Sequence, residues 1–291
     1  MENNNVASAT EMPMLLIPEK DRNKENYHKM SRITDTFASG RKALIPFVTG
    51  GDPDIGTTER LVLAMEQAGA DIIEIGIPFS DPIAEGPVIQ DADERALAAG
   101  TTLDGLFEMV SRLRQKTDVP LLFMTYFNPV YKYGIAAFTD RCAEVGIDGV
   151  IIPDLPYEEE EEFLSLRTEK GKGVELISLI TPTSAARAEK IAERAEGYLY
   201  CVSSLGVTGV RAQLGTEIGE IIKKVKAKRD IPCAIGFGVS TPEQAAQMAG
   251  ISDGVIVGSA IERIIEARGR DSEAPVKEFV ASLRNAIDAR Q

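Results

Sequence analysis

The sequence predicts an α/β protein: a single (β/α)8 TIM barrel with an extra N-terminal helix and a disordered N-terminal tail. Two observations carry this expectation. Eight short apolar runs alternate with segments of helical spacing from residue 43 to the end, and alternation of β and α means a parallel sheet whose eight units close into a barrel. The first strand-to-helix turn also lacks the GxGxxG pattern that would favour an open doubly wound sheet. No linker or shift of composition divides the body, so residues 1–25 are expected as tail and 26–291 as one barrel domain.

Taken in order, residues 1–25 are polar and aperiodic apart from Met12–Ile17, an apolar patch bracketed by Pro13 and Pro18. A short helix is expected from Asn26 through Ile33 and Phe37 to Gly40. The expected strands are Ala43–Thr49, Asp71–Ile77, Pro120–Tyr126, Asp148–Pro153, Val174–Ile180, Gly197–Ser203, Ile231–Phe237 and Asp253–Gly258. Helical spacing follows them, as in Leu61, Met65 and Ala68, or Leu106, Met109, Val110 and Leu113. The acidic run Glu158–Glu162 opens the helix after the fourth strand and is expected as a solvated face suited to the helix dipole.

The chain has 291 residues, 44% of them hydrophobic and 26% charged, with a formal net charge of -13. That charge argues against nucleic acid or an anionic membrane surface as partner, and no apolar stretch reaches the length of a membrane span. Cys142, Cys201 and Cys233 are widely spaced in apolar settings, which reads as buried thiols of a reducing, cytoplasmic compartment rather than zinc ligands or disulfides. The single histidine, His28, precedes the regular structure. Acid/base chemistry in the body therefore falls to carboxylates, tyrosine and lysine, and no metal site is expected.

The most informative stretch is Asp71–Gln90, DIIEIGIPFSDPIAEGPVIQ. Glu74 stands alone in an apolar strand, where desolvation raises a carboxyl pKa toward neutrality. A structural acid bonded to backbone is the alternative. The loop that follows, stiffened by Pro78, Pro82 and Pro87 and carrying Glu85, favours a proton-transfer site. Near the ends of the seventh and eighth strands stand GFGVS (Gly236–Ser240) and GSAI (Gly258–Ile261), the place where barrels often hold a phosphate with backbone N–H groups. The loop Ser203–Gly215 reads as a mobile lid or as a plain surface loop. None of the eight strands contains lysine, which removes an obvious Schiff-base nucleophile. Proton transfer by Glu74 remains, helped by a second acid and by Tyr200, which is otherwise a core tyrosine with its hydroxyl at the rim.

These residues resemble the tryptophan synthase alpha subunit family. The resemblance runs from about Ser31 to Ala289, through Pro46–Asp54, Glu74–Gln90, Ile151–Pro156, Tyr200–Gly209 and the two glycine motifs. It implies a barrel that cleaves indole-3-glycerol phosphate to indole and glyceraldehyde 3-phosphate. It also implies an alpha2-beta2 assembly, no cofactor in this chain, and a beta subunit that carries pyridoxal phosphate and receives the indole. By position, Glu74 matches the catalytic glutamate and Tyr200 the active-site tyrosine, while Gly209, Gly238, Gly258 and Ser259 fall on the phosphate site. Phe47, Ile89, Met124, Ile151 and Ile256 fall on the indole pocket, and Thr208 on the lid. Glu85 stands where the family's second catalytic acid is usually aspartate, and the first 29 residues precede the family pattern, with Met30 an alternative start. A free-standing lyase and a mainly regulatory partner of the beta subunit are the competing readings.

Overall fold

Parallel pairing links every strand to the next around the molecule. The computed structural model describes residues 31–202, 211–236 and 238–290, of which 211–217 by backbone alone. The expected disordered tail, His28, residues 203–210 of the expected lid with Thr208 and Gly209, and Phe237 lie outside the described residues; Arg211–Gly215, expected as the rest of that lid, instead open the helix Arg211–Lys228. The strands are β1 (Ala43–Thr49), β2 (Ile73–Gly76), β3 (Leu121–Met124), β4 (Gly149–Ile151), β5 (Glu175–Ile177), β6 (Leu179–Ile180), β7 (Leu199–Val202), β8 (Cys233–Gly236) and β9 (Gly254–Val257). They stand in the order β5-β4-β3-β2-β1-β9-β8-β7-β6, all parallel.

The ring closes through the chain itself. The expected fifth strand is divided at Ser178: β5 pairs with β4, β6 pairs with β7, and the Tyr200 N–H donates to the Ser178 carbonyl at 3.1 Å. This accounts for nine strand segments in an eight-stranded barrel.

Strand parity sorts side chains between two cores. Inward positions build a barrel interior from Ala43, Ile45, Leu122, Ile151, Ile177, Tyr198, Tyr200, Ala234 and Ile256. Alternate positions such as Leu44, Ile73, Ile75, Phe123 and Val255 face the helix layer. There α2 (Ile55–Gln67) contributes Leu61 and Met65, and α4 (Leu103–Leu113) contributes Leu106, Met109, Val110 and Leu113, all fully buried. Each such side chain contributes about 1.5–3 kcal/mol of hydrophobic stabilisation. Ala68 lies at the C-cap of α2 and is only partly buried.

The N-terminal end of the barrel is stoppered by α1 (Arg32–Ala38). Ser31 caps it by accepting the Thr34 N–H, Ile33 is fully buried, and the Phe37 ring lies 5.6 Å from that of Tyr198. Asp148 ties this stopper to the barrel. It accepts hydrogen bonds from Arg32 at 2.8 Å, from Arg114 at 2.6 Å and from the Leu121 N–H at 2.9 Å. Arg114 also donates to the carbonyls of Gly146 and Val119.

One expectation needs correction. Glu158–Glu162 is not wholly a solvated face: Glu160, the first residue of α7 (Glu160–Ser165), is 5% exposed and accepts a 2.9 Å hydrogen bond from the Ser178 hydroxyl. The division between β5 and β6 presents that hydroxyl to α7, and an acid with a buried donor at hand stays inside. The other four acids are exposed. Cys142, Cys201 and Cys233 are buried free thiols. Among the described residues no helix is long and apolar enough to cross a membrane.

Because Asp148 is nearly buried among its partners, Arg114→Leu should destabilise the protein by about 3–5 kcal/mol by stranding the carboxylate. Urea unfolding followed by circular dichroism checks this; a loss below about 1 kcal/mol would show that Arg32 and Leu121 suffice to satisfy Asp148.

Candidate active site

In β2, Ile73 and Ile75 face the helices, so the residue between them faces the barrel interior. That residue is Glu74, with no exposed surface. The Tyr198 hydroxyl donates to Glu74 Oε1 at 2.8 Å, while Oε2 is buried with no hydrogen-bond partner. Among the described residues no lysine or arginine pairs with it. Burial dominates, the Tyr198 hydrogen bond opposes it, and the pKa is pushed from 4.5 up to about 8. Glu74 therefore carries its proton at neutral pH.

Tyr200 lies on the same face of β7, two residues beyond Tyr198, with its phenol packed against Gly236. Its pKa is raised well above the ordinary value by burial, then by the charges of Glu74 and Glu85, which places it in the field of both acids. The hydrogen bond to Glu74 belongs to Tyr198, not to Tyr200.

The apolar wall follows from register. Phe47 pairs with Glu74 across β1 and β2, and Met124 pairs with Gly76 and with Ile151. The Phe47 ring fills space that two glycines leave open: a Cβ on Gly76 would stand 2.7 Å from the ring, and one on Gly258 would stand 3.2 Å from it. Ile151 and Ile256 are buried in the same interior. Ile89 is buried in the first turn of α3 (Pro87–Ala98), a helix that starts two residues after Glu85.

At the ends of β8 and β9 the chain offers backbone rather than charge. Gly258 precedes α11 (Ser259–Arg268), whose N-terminus presents N–H groups and the positive end of its dipole. Ser259 is exposed there, and Gly238 is exposed with φ +79°, a conformation that favours glycine. This arrangement suits an anion.

Glu85 is half-buried in the loop between β2 and α3, and its Oε2 accepts a hydrogen bond from the Tyr126 hydroxyl. The same hydroxyl accepts the Ala84 N–H at 2.8 Å, and Gln90 Nε2 donates to the Glu85 carbonyl at 2.9 Å. Burial first, then the negative fields of Asp93 and Asp154, push the Glu85 pKa up to about 8. Asp93 is 5% exposed and accepts the Phe79 N–H; burial raises its pKa to about 7. Asp154 accepts the Phe127 N–H at 2.8 Å at the start of α5 (Phe127–Tyr133).

A further acid lies on α11, the helix of the anion site. Glu262, in the first turn of α11, is fully buried; Oε1 accepts the Thr49 N–H at 2.5 Å and Oε2 has no hydrogen-bond partner. Asp52, also fully buried, is held by Arg95 in a two-pronged contact at 3.0 and 2.7 Å. Burial, with the nearby charge of Asp52, pushes Glu262 up to about 8.

The model of the tryptophan synthase alpha chain family matches residues 33–290. The chain belongs to the tryptophan synthase alpha chain family. A tryptophan synthase alpha chain from Lacticaseibacillus casei is 46% identical over 262 residues, 90% of this chain and 97% of that protein. One from Thermoanaerobacter sp. (strain X514) is 48% identical, covering 89% of this chain and 100% of that protein. The crystal structure of the subunit from Legionella pneumophila str. Paris superposes with a TM-score of 0.80 at 40% identity, over 89% of this chain and 99% of that one. The alpha2-beta2 complex of Pyrococcus furiosus contains a chain that superposes at 0.77 with 35% identity, over 84% of this chain and 98% of that one.

Within this family frame, sequence reasoning missed Tyr198, Tyr126, Asp93 and Glu262. Tyr198 was recoverable from parity, since it shares a strand face with Tyr200. Glu262 reads as an ordinary first-turn acid, and nothing local in the sequence shows that the helix is covered there. Among the described residues no group of three or more histidine, cysteine or acidic side chains is placed to hold a metal ion.

The Glu262 carboxyl ionises at about 8 when folded and near 4.5 when unfolded. Between these values the unfolded chain binds fewer protons, so stability is lost as pH rises through that window. Glu262→Gln keeps an acceptor for Thr49 and removes the titration. Its melting temperature should fall less than that of the wild type between about pH 5 and about pH 8, by roughly 3 °C or more. Parallel melting curves would count against this assignment.

Proposed function

We propose that the chain is the lyase component of tryptophan synthase, cleaving indole-3-glycerol phosphate to indole and glyceraldehyde 3-phosphate by a retro-aldol reaction. The observation that carries the reading is Glu74, neutral at the centre of an apolar barrel beside a pocket wall of Phe47 and Ile256. A neutral acid is the form the first step needs. Glu74 gives its proton to indole C3, which leaves positive charge on the ring nitrogen. As a carboxylate it then takes the proton of the hydroxyl on the adjacent glycerol carbon, the carbon–carbon bond to C3 breaks, and its electrons return to the ring. Indole and the aldehyde result; the proton Glu74 gave stays on indole C3, and Glu74 ends protonated again with the proton of the hydroxyl.

Glu85 accepts the ring N–H and opposes the charge developing there. Its raised pKa in the unliganded protein is lowered by that hydrogen bond, which favours the ionised form. The phosphate sits at Gly258, Ser259 and Gly238; the resemblance adds Gly209 to this site and Thr208 to the lid, both outside the described residues. Phe47, Ile89, Met124, Ile151 and Ile256 enclose the flat ring. Tyr200 is a neutral phenol in the field of both acids.

The product is handed to a pyridoxal-phosphate beta subunit in an alpha2-beta2 assembly, in the cytoplasm; the cofactor belongs to that partner, and this chain carries none. Ile83, 80% exposed beside Glu85, and Tyr131, 68% exposed on α5, are apolar surface on connections that leave the C-terminal ends of the strands, where such a partner would dock.

Glu74→Gln should reduce cleavage by at least about 10³-fold while substrate still binds. In the wild type kcat/KM should fall on the alkaline side with an apparent pKa of about 8, the value of Glu74 in the unliganded protein. Tyr198→Phe removes the hydrogen bond that favours the ionised carboxylate and should move that limb to higher pH. A limb unmoved by Tyr198→Phe, or Glu74→Gln turnover within tenfold of wild type, would remove Glu74 from the reaction.

A further inference from the structure

The β2–α3 loop carries Glu85 on a stretch of backbone with its own anchors. On one side the Ala84 N–H is fixed to the Tyr126 hydroxyl; on the other the Glu85 carbonyl is fixed by Gln90. Tyr126 is itself immobilised. It is 3% exposed, its ring lies 5.4 Å from that of Phe79, and the next residue is pinned by Asp154 through the Phe127 N–H. Phe79 is held in turn, because its N–H donates to the buried carboxyl of Asp93.

One phenol thus serves both the backbone before Glu85 and the Glu85 carboxyl. We propose that Tyr126 is the positioning residue for Glu85, and that the Ala84–Tyr126–Glu85 contact is why glutamate stands at this place in the chain. The inference rests on the reading of Glu85 given above. With the backbone fixed at Ala84 and Glu85, side-chain length alone decides whether the carboxyl meets the phenol. Glutamate reaches it; aspartate would be withdrawn by about a C–C bond length, some 1.5 Å. The phenol engages Oε2 and orients the other oxygen toward the ring nitrogen of the substrate. The charged and titratable groups that face Glu85 are Tyr126, Asp93, Asp154 and Tyr200.

The test uses Tyr126→Phe, which keeps the ring against Phe79, in a double-mutant cycle with Glu85→Asp. Tyr126→Phe should lower kcat about 10-fold with KM changed less than about twofold, and Glu85→Asp should do the same. The double variant should be no worse than Tyr126→Phe alone, because that substitution already removes the contact that Glu85→Asp loses. Multiplying losses would overturn the proposal. A readout independent of cleavage is the titration of the Glu85 carboxyl carbon by 13C NMR, its signal identified by its loss in Glu85→Gln. Loss of the phenol donor should raise its midpoint; an unchanged midpoint in Tyr126→Phe also overturns the proposal. Should Tyr126→Phe fail to fold, 19F NMR of fluorotyrosine-labelled protein replaces it: the Tyr126 resonance must shift in Glu85→Gln, and an unmoved resonance refutes the contact. A coupled NMR titration in a protein that does not cleave indole-3-glycerol phosphate would refute the proposed reaction and leave the Tyr126–Glu85 assignment standing.

Discussion

Desolvation of one carboxyl group is the constraint on which the rest of the structure depends. The barrel interior places Glu74 among apolar side chains, and among the described residues a single phenol donates to it and no cation pairs with it. An ionised carboxylate there would cost several kcal/mol, so the group keeps its proton at neutral pH. The surrounding features follow from this. The stopper helix α1 keeps water from the N-terminal end, the inward strand positions are apolar, and Tyr198 rises from the stoppered end to meet Oε1. A lysine or arginine in the same place would have made a stable ion pair and removed the proton that the reaction uses.

The second acid is built on a different principle. Glu85 sits in a loop, where backbone order must be imposed by contacts, and its neighbours are acids and a phenol rather than an apolar wall. Both groups reach a similar pKa, one almost wholly by burial, the other by burial with like charge beside it. The difference matters when a ligand arrives. A hydrogen-bond donor on the substrate can lower the second value, whereas the first is set by the barrel itself.

The parts of this design that repeat along the chain were legible in the sequence. Parity identifies Glu74 as inward from Ile73 and Ile75, and the two glycine motifs fall at the ends of β8 and β9 because those runs are counted in order. The parts that depend on a meeting of distant residues were not. Glu160 looks like its four exposed neighbours until Ser178 is found beside it, and Ser178 is there only because the fifth strand changes partner at that residue. Tyr126 closes an apolar run and carries no local sign that an acid 41 residues earlier will bond to it. Glu262 and Thr49 are separated by 213 residues. Local pattern reports which way a side chain faces; it does not report what it meets.

Glu74, Glu85 and Glu262, each with a pKa of about 8, also change what the protein is as a polyelectrolyte. The formal net charge of -13 counts all of them as ionised. In the native state they are mostly neutral at pH 7, so the folded protein is less anionic than its formula. Unfolding at that pH releases about three protons from these sites to solvent. The folded form is the slower of the two toward an anode at equal size, and its isoelectric point lies above the sequence value of ≈ 4.8.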